Sequence, residues 1–274
     1  MLMDRNTPVR VAIAGAGAIG SRVAHEISRS HPCLQVVAVA DADTERLMAL
    51  IGRIPGIQAR QLHELPEIAE VVVECASASA FDVVADSTAN AGRTLVTMSS
   101  GALLARPDLI ERAARGEFRL YVPSGAILGL DVVRAMSLEG IQSCTIRSRK
   151  PPKALKGAPY VIEMGINLDD LAEPLLLFRG NARDAAKGFP ANVNVAATLS
   201  LAGIGPERTQ CEVWADPGVQ ANQHTIEVRT ESTCASMTIQ SIATVSNART
   251  SSIAAFSVID TLLRFQSRGV RIGG

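Results

Sequence analysis

Val9 to Ala14 reads VRVAIA, a short apolar run with β-branched residues, and predicts a strand. From Ser21 to Ser30 the pattern turns helical, with Val23, Ala24 and Ile27 on one side. The alternation then repeats. Gln35 to Ala40 is a second strand, and a helix N-capped by Asp43 runs to about Ile51. Residues 53–61 hold Pro55 and Gly56 and read as loop with a short strand. Val71 to Cys75 is a buried strand, Phe81 to Ala91 a helix, Thr94 to Thr97 a strand, Leu109 to Arg115 a helix and Phe118 to Val122 a strand. Apolar strands alternating with helices predict an α/β fold with a Rossmann-type doubly wound parallel sheet.

Beyond Pro123-Ser124-Gly125-Ala126 the texture changes. Ile127 to Glu139 reads helical, and Ile141 to Ser148 is a strand with polar residues interleaved, halted by Arg149-Lys150-Pro151-Pro152. Leu175 to Phe178 is a strand; Asn181 to Lys187 and Asn192 to Leu201 are helices. Arg208 to Ala215, Thr225 to Thr230 and Ser236 to Thr244 are successive strands of alternating polarity. Alternation predicts a sheet with one open face, here in a second α/β domain with a mixed sheet. Thr250 to Phe265 is a long amphipathic helix. The division expected is a dinucleotide-binding domain over 1–126 and a second domain over 127–246.

The residues between the first strand and the first helix sharpen this picture. Gly15-Ala16-Gly17-Ala18-Ile19-Gly20 is G-x-G-x-x-G in strand–turn–helix context, the setting in which it marks a dinucleotide site. The first glycine permits the turn, the second a close approach to pyrophosphate, and the third the packing of helix on strand. The second strand ends in Asp41, an acid suited to a ribose 2′-hydroxyl. Asp41 repels a 2′-phosphate, whereas Arg46 is within reach of one, so NAD is expected, with NADP also accepted. Two further strands empty into small residues, Ala76-Ser77-Ala78-Ser79 and Met98-Ser99-Ser100-Gly101, at the edge where open α/β sheets bind ligands.

Composition narrows the partners. The 274 residues carry 27 Lys plus Arg and 27 Asp plus Glu, without a basic run, which argues against nucleic acid. No stretch approaches a membrane span, and the N-terminal residues lack a secretory pattern. The five cysteines are scattered without C-x-x-C spacing, as in reduced cytoplasmic proteins, and no metal site is expected.

Few side chains are placed for chemistry. His25, His31 and His63 read as surface residues. His224 enters a strand of the second domain; a proton carrier and a histidine bonded locally at a strand edge are both open readings. Asn192 and Asn194 open a helix, as caps or as amide contacts to a nicotinamide. Arg149-Lys150 is either a grip for a carboxylate or a solvated strand end. Asn247 to Ser251 caps the last helix or holds an anion.

Taken together, GAGAIG (15–20), VECAS (73–77), SSGAL (99–103), PSGAILGLD (123–131), RKPP (149–152), the long block 177–203, DPGVQANQH (216–224) and NARTSS (247–252) resemble the L-aspartate dehydrogenase family. The chain departs from that family's pattern at Ala248 and over Glu231 to Ser246. The resemblance implies reversible NAD(P)-dependent oxidative deamination of L-aspartate to oxaloacetate and ammonia through iminoaspartate, a precursor for NAD biosynthesis. It implies a homodimer formed by the second domain, with 247–274 returning to the first. It assigns the catalytic role to His224, and cofactor contacts to Ala126 and to the N-V-N stretch, with Asn192 favoured over Asn194. With Gly15, Gly17, Ala18, Ile19, Gly20, Asp41, Ala76, Ser77 and Ser100 these form the expected cofactor site; Lys150, Asn222 and Thr250 are the expected substrate contacts. The rivals are a two-domain reductase of the homoserine dehydrogenase or dihydrodipicolinate reductase type, and a non-catalytic dinucleotide sensor; fold alone does not separate them.

Overall fold

The computed structural model describes residues 7–190, 193–242 and 252–265. In chain order the elements are β1 (Val9–Ala14), α1 (Ala18–Ser30), β2 (Leu34–Ala40), α2 (Thr44–Ile51), β3 (Gln58–Ala59), α3 (Leu65–Ile68), β4 (Val71–Glu74), α4 (Phe81–Asn90), β5 (Thr94–Thr97), α5 (Ser100–Leu103), α6 (Pro107–Ala114) and β6 (Arg119–Tyr121). There follow α7 (Leu130–Glu139), β7 (Ser143–Lys150), α8 (Pro159–Glu163), β8 (Leu175–Asn181), α9 (Ala182–Gly188), α10 (Asn194–Ala202), β9 (Thr209–Ala215), β10 (Gln223–Arg229), β11 (Cys234–Gln240) and α11 (Ser252–Arg264).

Contacts divide the chain into two compact units. The first contains the described residues to Ser99, Ala105–Gly125 and α11. Its six strands are all parallel, in the order β3-β2-β1-β4-β5-β6. The middle strands β4 and β5 are buried at every position, which explains their unbroken apolar character. The far helix α11 lays Ala255, Val258, Ile259 and Leu262 into the same core as Val23, Ala24 and Ile27 of α1. A further tie is the Gly125 N–H, which donates to the Ser257 hydroxyl at 3.0 Å.

The second unit holds Ala126 to Gln240 together with the short segment Ser100–Leu104. Its five-stranded sheet runs β11-β10-β7-β9-β8, with β7 and β9 parallel and the other pairs antiparallel. One face, with Ile146, Cys211, Val213, Ile226 and Val228, packs on Val133, Phe189, Ala196 and Leu199 of the helical layer. On the other face Glu212 accepts from Arg147, Arg179 and Trp214, and Arg149 lies over the Trp214 ring. No described helix is long and apolar enough to cross a membrane.

Several boundaries differ from the pattern-based reading, two of them for plain physical reasons. Helix α1 starts at Ala18, inside the glycine motif, because Gly17 serves as its N-cap. Strand β7 continues through Lys150 and stops only at Pro151, which lacks an N–H for the ladder. Ser100–Leu104 groups with the second unit, although the strand–helix pattern assigned it to the first.

Candidate active site

β1 delivers the chain into a turn that only glycine tolerates. Gly15 has φ of +104°, and a Cβ there would lie 2.6 Å from the Cys75 carbonyl oxygen. A Cβ on Gly20 would lie 1.8 Å from the Gly15 carbonyl oxygen. Gly17 is different: nothing lies within 4 Å of the place its Cβ would take, and no side chain caps the helix there. The first amides of α1, at Ala18, Ile19 and Gly20, have no intrahelical acceptor and sit at the positive end of the dipole. Asp41, at the end of β2, accepts from the Ala16 N–H at 2.5 Å and from the Asp43 N–H at 2.7 Å, which fixes its carboxylate beside the glycine turn. The open side of Gly17, the amide cluster and the neighbouring carboxylate fit the pyrophosphate and adenosine ribose of a dinucleotide. Gly17→Ala is therefore expected to leave the melting temperature unchanged while weakening NAD binding about tenfold or more. Thermal melts and titration calorimetry on the same samples check both halves.

The neighbouring strand ends are built from small residues around one acid that sequence reasoning passed over. Ala76 is half-buried, and Ser77 is exposed with its hydroxyl 2.9 Å from that of Ser79. Between the turns lies Glu74, fully buried. Its carboxylate accepts from the Thr97 hydroxyl at 2.6 Å, the Ser99 hydroxyl at 2.9 Å, the Ala76 N–H at 3.1 Å and the Ser99 N–H at 3.2 Å. Burial pushes the Glu74 carboxyl up, opposed by these hydrogen bonds. The available signal was an acid ending an otherwise wholly apolar strand of a parallel sheet.

In the second unit, Ser100 and Asn194 come together. The buried Ser100 hydroxyl donates to the Asn194 carbonyl oxygen at 2.8 Å and accepts from Thr198 at 2.9 Å. The exposed Asn194 side-chain oxygen accepts from the Gly101 N–H at 3.1 Å. Ala126 is half-buried in a turn. Asn222 precedes β10, and its carbonyl oxygen accepts from the Ser241 N–H. Asn192 and Thr250, and with them Asn247 to Ser251, lie outside the described residues.

His224 is not a loop histidine but the second residue of β10, 3% exposed, directly opposite Ser148 of β7. The Ser148 hydroxyl lies 2.9 Å from its Nδ1, and Ser148 is itself fully buried. Burial, and then the charge of Lys150, push the imidazole down to about 3. Because β7 extends through Lys150, alternation sends Arg149 and Lys150 to opposite faces. Arg149 pairs with Asp216 at 2.8 Å on the open face. Lys150 is 5% exposed, on the face of His224 and Ser148, and is not a solvated strand end. Burial pushes its ammonium down to about 8. No carboxylate pairs with it among the described residues. A buried cation with no carboxylate partner among the described residues suits an anion, and it lies beside a neutral imidazole able to take up a proton.

A dinucleotide turn on a parallel sheet, together with a second unit that buries an imidazole and an ammonium on one sheet face, defines a two-unit dehydrogenase of the pyridine-nucleotide class. Residues 131–265 match the family model described as aspartate dehydrogenase, C-terminal, and residues 15–123 match the homoserine dehydrogenase NAD-binding domain. The chain is 45% identical to L-aspartate dehydrogenase 3 of Bordetella bronchiseptica, over 99% of this chain and 100% of that one. It is 43% identical to L-aspartate dehydrogenase of Bradyrhizobium diazoefficiens, over 98% of this chain and 95% of that one. The chain belongs to the L-aspartate dehydrogenase family. Among solved structures, aspartate dehydrogenase from Thermotoga maritima shares the fold with a TM-score of 0.75 at 24% identity, covering 96% of this chain and 99% of that one. A homoserine dehydrogenase from Thiobacillus denitrificans has a TM-score of 0.63 at 12% identity, covering 95% of this chain and 73% of that one. The fold is thus shared across substrates, and fold alone does not separate them.

Proposed function

We propose that this protein is an L-aspartate dehydrogenase, which interconverts L-aspartate, water and the oxidised nicotinamide cofactor with oxaloacetate, ammonia and the reduced cofactor through iminoaspartate. The observation that carries the reading is the buried pairing of His224 with Ser148 on the sheet face of Lys150, in a chain of this family. When bound at the glycine turn, the nicotinamide cofactor supplies the hydride chemistry. Gly15, Gly17, Ala18, Ile19 and Gly20 hold the pyrophosphate, and Asp41 the adenosine ribose, which favours NAD with NADP accepted less well. Ala76, Ser77, Ser100, Ala126, Asn192 and Asn194 complete the cofactor contacts. Lys150 grips a substrate carboxylate, with Asn222 and Thr250 as further polar contacts. His224 takes the proton released as the amine becomes an imine and water adds to it, and returns the proton in the reverse direction.

Residues 1–126 and 247–274 serve as the dinucleotide domain, and 127–246 as the substrate domain. The polar open face around Arg147, Arg179, Glu212 and Trp214 supports pairing with a second copy as a homodimer. The described cysteines are free thiols, which supports a cytoplasmic setting, and iminoaspartate links the enzyme to NAD biosynthesis. The test follows the near-ultraviolet absorbance of reduced cofactor mixed with oxaloacetate, with and without ammonium. Signal loss that requires ammonium is expected. No loss with any keto acid would sink the reading in favour of a dinucleotide sensor.

A further inference from the structure

Ala40, Ala14, Glu74 and Thr97 form one row across the C-terminal edge of the parallel sheet. Three of them are small and uncharged, and the fourth is a fully buried carboxylate. Among the described residues its hydrogen bonds come from Thr97 and from the turns leaving β4 and β5, and none comes from a cation. Two of these donors are backbone N–H groups, which can only donate. The Thr97 hydroxyl accepts from the Ser99 N–H at 3.1 Å and so gives its own proton to Glu74. Apart from the Ser99 hydroxyl, which can also accept, the shell consists of donors, the environment that favours an ionised carboxylate over a neutral acid.

The strand order reverses between β1 and β4, and a dinucleotide spans such a point. Asp41 marks the β2 side for the adenosine ribose, so the other half of the cofactor belongs over β4 and β5. The geometry points to Glu74 as a positioning and tuning residue: its buried charge makes the site favour the oxidised, cationic nicotinamide over the neutral reduced ring. This rests on the cofactor reading above. A unit charge about 10 Å away, at an effective dielectric of about 20, shifts an equilibrium roughly tenfold. The bias favours the direction of reaction in which the cofactor ends oxidised.

The test is direct binding of NAD⁺ and NADH to the full-length protein, without substrate, by titration calorimetry. Glu74→Gln keeps the shape and removes the charge, and is expected to raise the ratio of the NAD⁺ to the NADH dissociation constant roughly tenfold. Thr97→Val removes a donor and no charge; it should weaken both forms in parallel and leave the ratio alone. An unchanged ratio in Glu74→Gln, or equal weakening of both forms, overturns the inference. A measurement on the unaltered protein needs no variant. Burial raises the Glu74 carboxyl, so lowering the pH should protonate it and erase the preference for NAD⁺. Cys75 and Asp41 are the other titratable groups nearby; burial holds the thiol of Cys75 well above its ordinary range, so it stays neutral throughout. Asp41 lies at the adenosine side, where both redox forms are alike. A ratio that stays flat with pH counts against Glu74, whereas failure of the unaltered protein to bind either form would overturn the cofactor reading itself.

Discussion

His224→Ala is expected to lower turnover about 10²–10⁴-fold, the usual contribution of a positioned acid–base group, while NAD affinity stays the same. The reasoning starts from burial. At 3% exposure the imidazole is hard to charge, and the Lys150 ammonium adds to the penalty, so the ring stays neutral down to about pH 3. The Ser148 hydroxyl engages Nδ1 at 2.9 Å, which leaves Nε2 as the nitrogen able to meet a substrate proton. On the proposed reading, an incoming dicarboxylate would offset the lysine charge and make the ring a better base only when substrate is bound. Linkage supplies a second readout. The unfolded chain protonates this histidine near 6.5 and the folded chain near 3, so the folded state loses stability as pH falls through that window. His224→Ala should therefore melt with less acid sensitivity than the parent. Steady-state rates, NAD titrations and melts across pH measure all three, and unchanged turnover would remove His224 from the chemistry.

The parallel sheet was legible because its signals are local. Val9–Ala14 and Thr94–Thr97 have the predicted boundaries, and Asp43 caps α2 by accepting from the Arg46 N–H. The glycine motif declares a turn that only Gly15 and Gly20 tolerate. What sequence pattern could not supply was pairing across distance. His224 faces Ser148 across 76 positions, and Glu74 gathers donors from Ser99, 25 residues away, through strand register alone. The pattern left Lys150 open between two readings for a related reason. Two basic residues before two prolines look solvated, yet a strand that runs on to the first proline must turn one of them inward. The short helices Pro159–Glu163 and Ser100–Leu103 escaped because so few residues show no period.

Lys150→Met should separate stability from activity. Lysine and methionine are similar in length, so the variant fills the same space without the charge. The parent buries an ammonium with no carboxylate beside it among the described residues, and its pKa falls from 10.5 to about 8. That shift corresponds to about 3 kcal/mol spent on holding the charge out of water at neutral pH, so the apo variant should melt several degrees higher. The sign can be checked with pH. The folded protein releases this proton near 8 and the unfolded chain near 10.5, so the parent gains stability through that interval. The advantage of Lys150→Met should accordingly be full below pH 8 and shrink above it. Activity should move the other way. Removing the cation leaves a substrate carboxylate in a desolvated site without its partner, so KM for oxaloacetate should rise about 10²-fold, with cofactor binding retained. In the parent, kcat/KM for oxaloacetate at constant free ammonia should fall above about pH 8 as the ammonium discharges; Ser148, Cys211 and His224 are the other groups around it, and burial holds Cys211 up at about 12, which leaves the lysine to account for that limb. A variant less stable than the parent at neutral pH would mean that a protein anion already neutralises Lys150, and the carboxylate grip would have to be sought elsewhere.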